Sequence, residues 1–126
     1  MTVLVVEDVV EQCELIRSVV EHALSRSALT GRVFSALRLT EARVMIGRHR
    51  PHMVFLDITL GLESGLDLLP ELLAAGIPVW ILSAQKWPDE RSLPPGVRGI
   101  WLKPEGGQLE SSIESMIHAL GLRGSR

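Results

Sequence analysis

The chain has 126 residues, which suits one domain around one hydrophobic core, and its 46% hydrophobic and 22% charged residues exclude a disordered chain. A formal net charge of −2 gives no electrostatic reason to expect nucleic acid as a partner, and Cys13, the sole cysteine, excludes an intramolecular disulfide. No apolar run is long enough to cross a bilayer and no signal-peptide layout opens the chain, so it reads as cytoplasmic and away from membranes.

Strand-like and helix-like segments alternate from end to end. Val3 to Val6 is a short apolar run stopping at Glu7 and Asp8, as expected of a strand buried on both faces of a parallel sheet. Ile16, Val19, Val20, Ala23 and Leu24 recur at helical spacing, predicting a first helix from about Val10 to Arg26 with Cys13 as a half-buried thiol. Gly31 to Ser35 fits a second strand. Ala42, Met45 and Ile46 mark a short second helix ending before Pro51. The basic residues Arg43, Arg48, His49 and Arg50 read as a solvated helix face rather than a binding patch.

Met53 to Leu56 repeats the opening pattern and ends at Asp57. Leu66, Leu69, Leu72 and Leu73 form the stripe of a third helix closed by Gly76. Ile77 to Leu82 predicts a fourth strand ending at Ser83, and Gly99 to Leu102 a fifth ending at Lys103. Between them Pro88, Pro94 and Pro95 leave room for one or two helical turns, around Asp89 to Leu93, so the fourth helix is expected to be short or irregular. Leu109, Ile113, Met116, Ile117 and Leu120 give a last helix its buried face. The expected organisation is one domain over residues 1–121 and a flexible tail over 122–126.

Five strands joined by helices imply an α/β, doubly wound parallel sheet, whose carboxyl edge carries the site. If the strand order is 2-1-3-4-5, the first and third strands are neighbours, and Glu7, Asp8 and Asp57 share one crevice. Three carboxylates at close range resist ionising together, and a divalent cation resolves the conflict. Oxygen ligands that leave room for water and phosphate suit magnesium. Lys103 and Ser83 would then pair with phosphoryl oxygens, leaving Asp57 as a nucleophile that forms an aspartyl phosphate.

Along nearly its whole length the chain resembles the receiver domain of two-component response regulators. The resemblance rests on the acidic pair Glu7-Asp8, the acceptor Asp57, Ser83-Ala84 and Lys103-Pro104. The stretch Ser64-Gly65-Leu66-Asp67-Leu68-Leu69 adds to it. It implies a flavodoxin-like fold and phosphorylation of Asp57 by a sensor histidine kinase or a histidine phosphotransfer protein. It also implies direct magnesium binding by Asp8 and Asp57, binding through water by Glu7, and a ligand from the backbone carbonyl of Thr59. Thr59 and Gln85 occupy positions that tune hydrolysis in this family, and Gln85 can either order or obstruct the attacking water. Such domains are signalling modules rather than enzymes acting on separate substrates, so phosphorylation and dephosphorylation at Asp57 would be the only chemistry.

Three positions depart from the family pattern. Ile100 stands where a switching aromatic is usual, with Trp101 beside it facing the other side of the sheet. The proline-rich stretch replaces much of the helix that commonly forms the output surface. Gly61 replaces a frequent proline, which predicts a more mobile acceptor loop. The reading is a stand-alone receiver, monomeric or weakly dimeric, that relays phosphate or signals to a downstream protein by contact.

Two rivals stand beside it. One is a pseudo-receiver that binds partners without being phosphorylated. The other is a phosphohydrolase of the haloacid dehalogenase type, which wants an aspartate where this chain has Thr59. His22, His49, His52 and His118 lack metal-ligand spacing and read as surface residues. Trp80, Trp87 and Trp101 read as core or loop anchors, with an exposed Trp87 as the alternative of a partner contact.

Overall fold

The computed structural model describes residues 1–26, 31–83 and 94–102, the last two of these by backbone alone. In chain order they form β1 (Thr2–Val6), α1 (Val10–Arg26), β2 (Arg32–Ala36), α2 (Leu39–His49) and β3 (Met53–Asp57). There follow β4 (Thr59–Leu60), β5 (Glu63–Ser64), a 3-10 turn (Gly65–Leu68), α3 (Leu69–Ala74), β6 (Val79–Ser83) and β7 (Val97–Leu102). Five parallel strands make one sheet in the order β2-β1-β3-β6-β7, and β4 and β5 form a separate antiparallel pair. With that small hairpin set aside, the order is the expected 2-1-3-4-5.

The sheet is apolar on both faces because side chains alternate across it. Val3, Val5, Met53, Phe55 and Leu82 face α1, meeting Ile16, Val20 and Ala23. Leu4, Val6, Val54, Leu56 and Val79 face the other way, onto Ala42 of α2 and Leu68, Leu69 and Leu72 around α3. Every residue of β3 is buried, Asp57 included.

Several sequence expectations need correction. The stripe of α3 runs through Leu68 rather than Leu73: Leu68 is fully buried and Leu73 is 38% exposed. Gly65, Leu68, Leu69 and Leu72 fall at the i, i+3, i+4 and i+7 spacing of one helical face, and Leu73 lies off it; a 3-10 turn leads into the α-helix at Leu69, with proline in its first turn. Gly76 does close α3, at φ 70°. Its N–H bonds to Leu73 and that of Ile77 to Leu72, a paired C-cap. That cap consumes the Ile77 donor and Pro78 has none, so β6 begins at Val79 instead of Ile77. β2 runs one residue later than expected, and β7 starts two earlier, at Val97. Val97 donates back to Pro94 across Pro95-Gly96, with Gly96 at φ 90°, so the proline pair builds the turn that launches the strand.

Cys13 is fully buried rather than half-buried. Burial pushes its thiol pKa up, against a weaker lowering influence from a hydrogen bond with Ser35. His22, His49 and His52 are exposed, as expected. His49 stacks on Phe34 with ring centroids 3.9 Å apart, and His52 Nδ1 accepts the Thr2 N–H at 2.9 Å. Arg48 and Arg50 are exposed at the end of α2, while Arg43 pairs with Glu71 of α3 at 2.7 Å. Trp80 packs against the α1-side core. The fourth-helix region at Asp89 to Leu93, the last helix, Trp87, His118 and the 122–126 tail lie outside the described residues.

Candidate functional site

Three of the chain's acidic residues meet where β1 and β3 end side by side. Val6 pairs with Leu56, so Glu7 and Asp57 emerge from neighbouring strands at one level, with Asp8 one residue on. Each of the three offers a carboxylate oxygen, and these oxygens lie within 4.8 Å of one another. Glu7 is 0% exposed and Asp57 2%, while Asp8 is half-buried at the mouth.

Backbone groups hold these side chains in place. The N–H of Val9 donates to Glu7 Oε1 at 3.1 Å, and that of Glu7 to the Ala36 carbonyl at 3.0 Å. The Thr59 N–H donates to Asp57 Oδ1 at 3.1 Å, locking the carboxylate toward its own loop. That loop is tied down in turn, because Gly65 donates to the Ile58 carbonyl at 2.9 Å. A Cβ on Gly65 would overlap the Asp57 carbonyl oxygen and lie 2.9 Å from its carbon, so only glycine fits there. Sequence reasoning included Gly65 in a family motif without finding this role. The signal available was a glycine opening a helical segment after a serine cap, and Ser64 Oγ does accept the Leu66 N–H.

Gly61 also has a local cause. At φ 62° it turns the chain between β4 and β5, a conformation closed to proline, whose φ is held near −65°. The departure from the family's frequent proline therefore accompanies a hairpin that the sequence did not announce. Leu60 is buried beneath it, while Leu62 at its tip is fully exposed.

On the far side of Asp57, Ser83 ends β6 and is 5% exposed. Asp57 pairs with Leu82 in the ladder, so Ser83 stands one residue past the carboxylate on the adjacent strand. Ile100 pairs with Ile81 and is half-buried. Trp101 pairs with Leu82 by backbone, and its side chain lies outside the described residues, as do Lys103 and Gln85. Of the expected site, Glu7, Asp8, Asp57, Thr59 and Ser83 are thus brought to one edge.

Two carboxylate oxygens at 4.8 Å repel by about 3.5 kcal/mol at an effective dielectric constant of about 20. Three such oxygens, two of the residues buried, make a donor set that fits a hard divalent cation of the magnesium type.

Comparison with protein families matches residues 3–114 to the response regulator receiver domain. The chain belongs to that family. Solved structures agree on the fold. The signal receiver domain of a DNA-binding response regulator protein from Colwellia psychrerythraea superposes with a TM-score of 0.78 at 18% identity, over 94% of this chain and 98% of that one. A two-component response regulator from Clostridium difficile gives 0.78 at 15% identity, over 95% and 98%. A CheY-like receiver domain from Methylobacillus flagellatus gives 0.73 at 19% identity, over 95% and 98%. No curated protein matches the sequence closely enough to report.

Receiver domains are phosphoacceptor signalling modules of two-component systems, not enzymes acting on separate substrates, and they bind magnesium at an acidic pocket. In this chain Glu7, Asp8 and Asp57 form an acidic cluster. Among the described residues no helix is long and apolar enough to span a membrane.

Proposed function

We propose that this receiver accepts a phosphoryl group on Asp57 from the phosphohistidine of a sensor histidine kinase or a histidine phosphotransfer protein. The observation that carries the reading is the convergence of Glu7, Asp8 and Asp57 at the ends of β1 and β3, with the Asp57 carboxylate held by the Thr59 N–H. A carboxylate oxygen of Asp57 attacks phosphorus. The new P–O bond forms as the P–N bond of the donor breaks, and the electron pair returns to the imidazole nitrogen.

Asp8 and Asp57 would hold magnesium directly, Glu7 through water, and the Thr59 carbonyl would complete the protein ligands. When bound, the ion polarises the phosphoryl oxygens and offsets the charge of the cluster. Ser83, one residue past Asp57 on the adjoining strand, is assigned to donate to a phosphoryl oxygen. Lys103 is assigned to pair with another, and Thr59 and Gln85 to govern the approach of hydrolytic water. The added charge shifts the balance of conformations in the loops around the site, and a downstream protein reads the result by contact. Ile100 packs at the position of the usual aromatic switch, so output runs without that rotamer change; Ile100 and Trp101 are assigned to modulate it.

Intact mass after incubation with acetyl phosphate and magnesium tests the reading. One added phosphoryl group, absent in Asp57→Asn and after chelation, is expected. No gain in mass together with failure to bind magnesium would refute it and leave a pseudo-receiver, whereas magnesium binding without a gain would mark a receiver that takes its phosphoryl group only from a specific protein donor.

A further inference from the structure

The chain just past Asp57 folds into a hairpin whose register follows from its turn. Thr59 pairs with Ser64 and Leu60 with Glu63, so Gly61 and Leu62 alone make the connection. Gly61 lies at φ 62° and Leu62 on the ordinary negative side. That combination is a type II′ turn, with glycine at its first central position and a twist that matches a two-residue hairpin. A Cβ on Gly61 would meet only Asp8 Oδ2, at 3.8 Å, so the backbone angle, not lack of room, calls for glycine.

The closing pair of such a hairpin, Leu60 with Glu63, exchanges ladder bonds, and the next pair, Thr59 with Ser64, does not. One pair further on, the Gly65 N–H bonds to the Ile58 carbonyl, where the alternation returns to bonding. The N–H and carbonyl of one extended residue leave by the same edge of its strand. Those of Thr59 therefore face away from β5. The N–H shows where that edge points, because it reaches Asp57 Oδ1 at 3.1 Å. Leu60, buried in the core, keeps β4 from rolling about its axis.

We propose that Gly61 is a positioning residue for the metal: the turn it permits fixes the register that presents the Thr59 carbonyl beside Asp57. This rests on the magnesium reading above, and it adds a residue that touches neither the ion nor the phosphoryl group. With leucine at the second position of the turn, the positive φ has to come from Gly61. Any other residue at 61 strains the turn, and the metal-free hairpin can shed that strain by opening. Binding must then rebuild the hairpin, and affinity falls.

The test is calorimetric titration of magnesium alone into the wild-type chain, Gly61→Ala and the double variant Gly61→Pro/Leu62→Gly. Thermal unfolding in chelator and amide exchange at Thr59 and Glu63 are measured on the same proteins. The double variant rebuilds a two-residue turn from proline and a glycine free to take positive φ at the second position. Gly61→Ala is expected to bind magnesium roughly tenfold more weakly, the equivalent of one strained residue, and to lose amide protection. Its Tm in chelator should stay within about 3 °C of wild type, since the opening is local. The double variant should recover protection and bind within about threefold of wild type. Gly61→Ala that keeps both protection and affinity overturns the proposal. So does either variant that keeps protection and loses affinity, or loses protection and keeps affinity. A wild-type chain that binds no magnesium refutes instead the metal reading on which the proposal rests.

Discussion

Replacing Asp57 by asparagine should change stability in opposite directions with and without magnesium. In the metal-free protein the substitution removes two repulsions, to Glu7 and to Asp8, whose oxygens lie within 4.8 Å. Each is worth about 3.5 kcal/mol at an effective dielectric constant of about 20, and about 0.9 kcal/mol in bulk water. Asp8 is half-buried at the crevice mouth, so the lower figure applies to its pair and the higher one to the buried Glu7–Asp57 pair, and together they give about 4 kcal/mol. The asparagine Oδ1 still accepts the Thr59 N–H, so no hydrogen bond is lost from the loop. For a domain of this size, about 4 kcal/mol corresponds to a rise in Tm of roughly 15 °C.

Saturating magnesium should reverse the order. The wild-type chain gains RT ln(1 + [Mg]/Kd), and the variant, lacking one of the proposed ligands, gains less. Thermal and urea unfolding of both proteins, in chelator and across a magnesium titration, would read this directly. An asparagine variant less stable than wild type in chelator would refute the reasoning, because the three carboxylates would then not be in conflict.

Other outcomes follow from the packing. Leu68→Ala should cost about 2–5 kcal/mol and Leu73→Ala at most about 1 kcal/mol in urea unfolding, since the first is buried and the second partly exposed; equal costs would contradict the face that α3 and the turn before it bury. Gly65→Ala should cost at least about 2 kcal/mol, because its Cβ overlaps the Asp57 carbonyl, and it should slow phosphorylation by acetyl phosphate even where the variant remains folded. The buried Cys13 thiol has its pKa raised above the ordinary 9.0. Its contribution is therefore fully present below about pH 9 and lost as pH rises toward the folded value, since the unfolded thiol ionises first. The chain has no tyrosine, so the alkaline fall in stability between wild type and Cys13→Ala should differ visibly in unfolding measured above pH 9. Identical pH profiles would show that the thiol is not desolvated in the fold.

Much of the fold was legible because buried parallel strands leave a local signature. Val3 to Val6 and Met53 to Leu56 are apolar on both faces, and each ends abruptly in carboxylates. The acidic members of the site were legible for the same reason, since the end of a buried strand is where a polar residue can first reach water. The α3 stripe was misread because Leu66, Leu68, Leu69, Leu72 and Leu73 offer more than one helical face. Packing against the sheet selects the face that carries Leu68, Leu69 and Leu72.

What the sequence determined by itself was therefore the α/β alternation, the location of the strand ends, and the residue types available there. Those follow from interactions within a few residues, where hydrophobic run length and proline or glycine placement suffice. The tertiary structure decided what depends on distant segments meeting. It set the close approach that makes Gly65 obligatory, and the hairpin that lifts Leu62 beside Asp8. It also buried Glu7 and Asp57 while leaving Asp8 at the mouth. Burial and proximity are properties of the packed sheet, set by which strands become neighbours, and no local pattern encodes them.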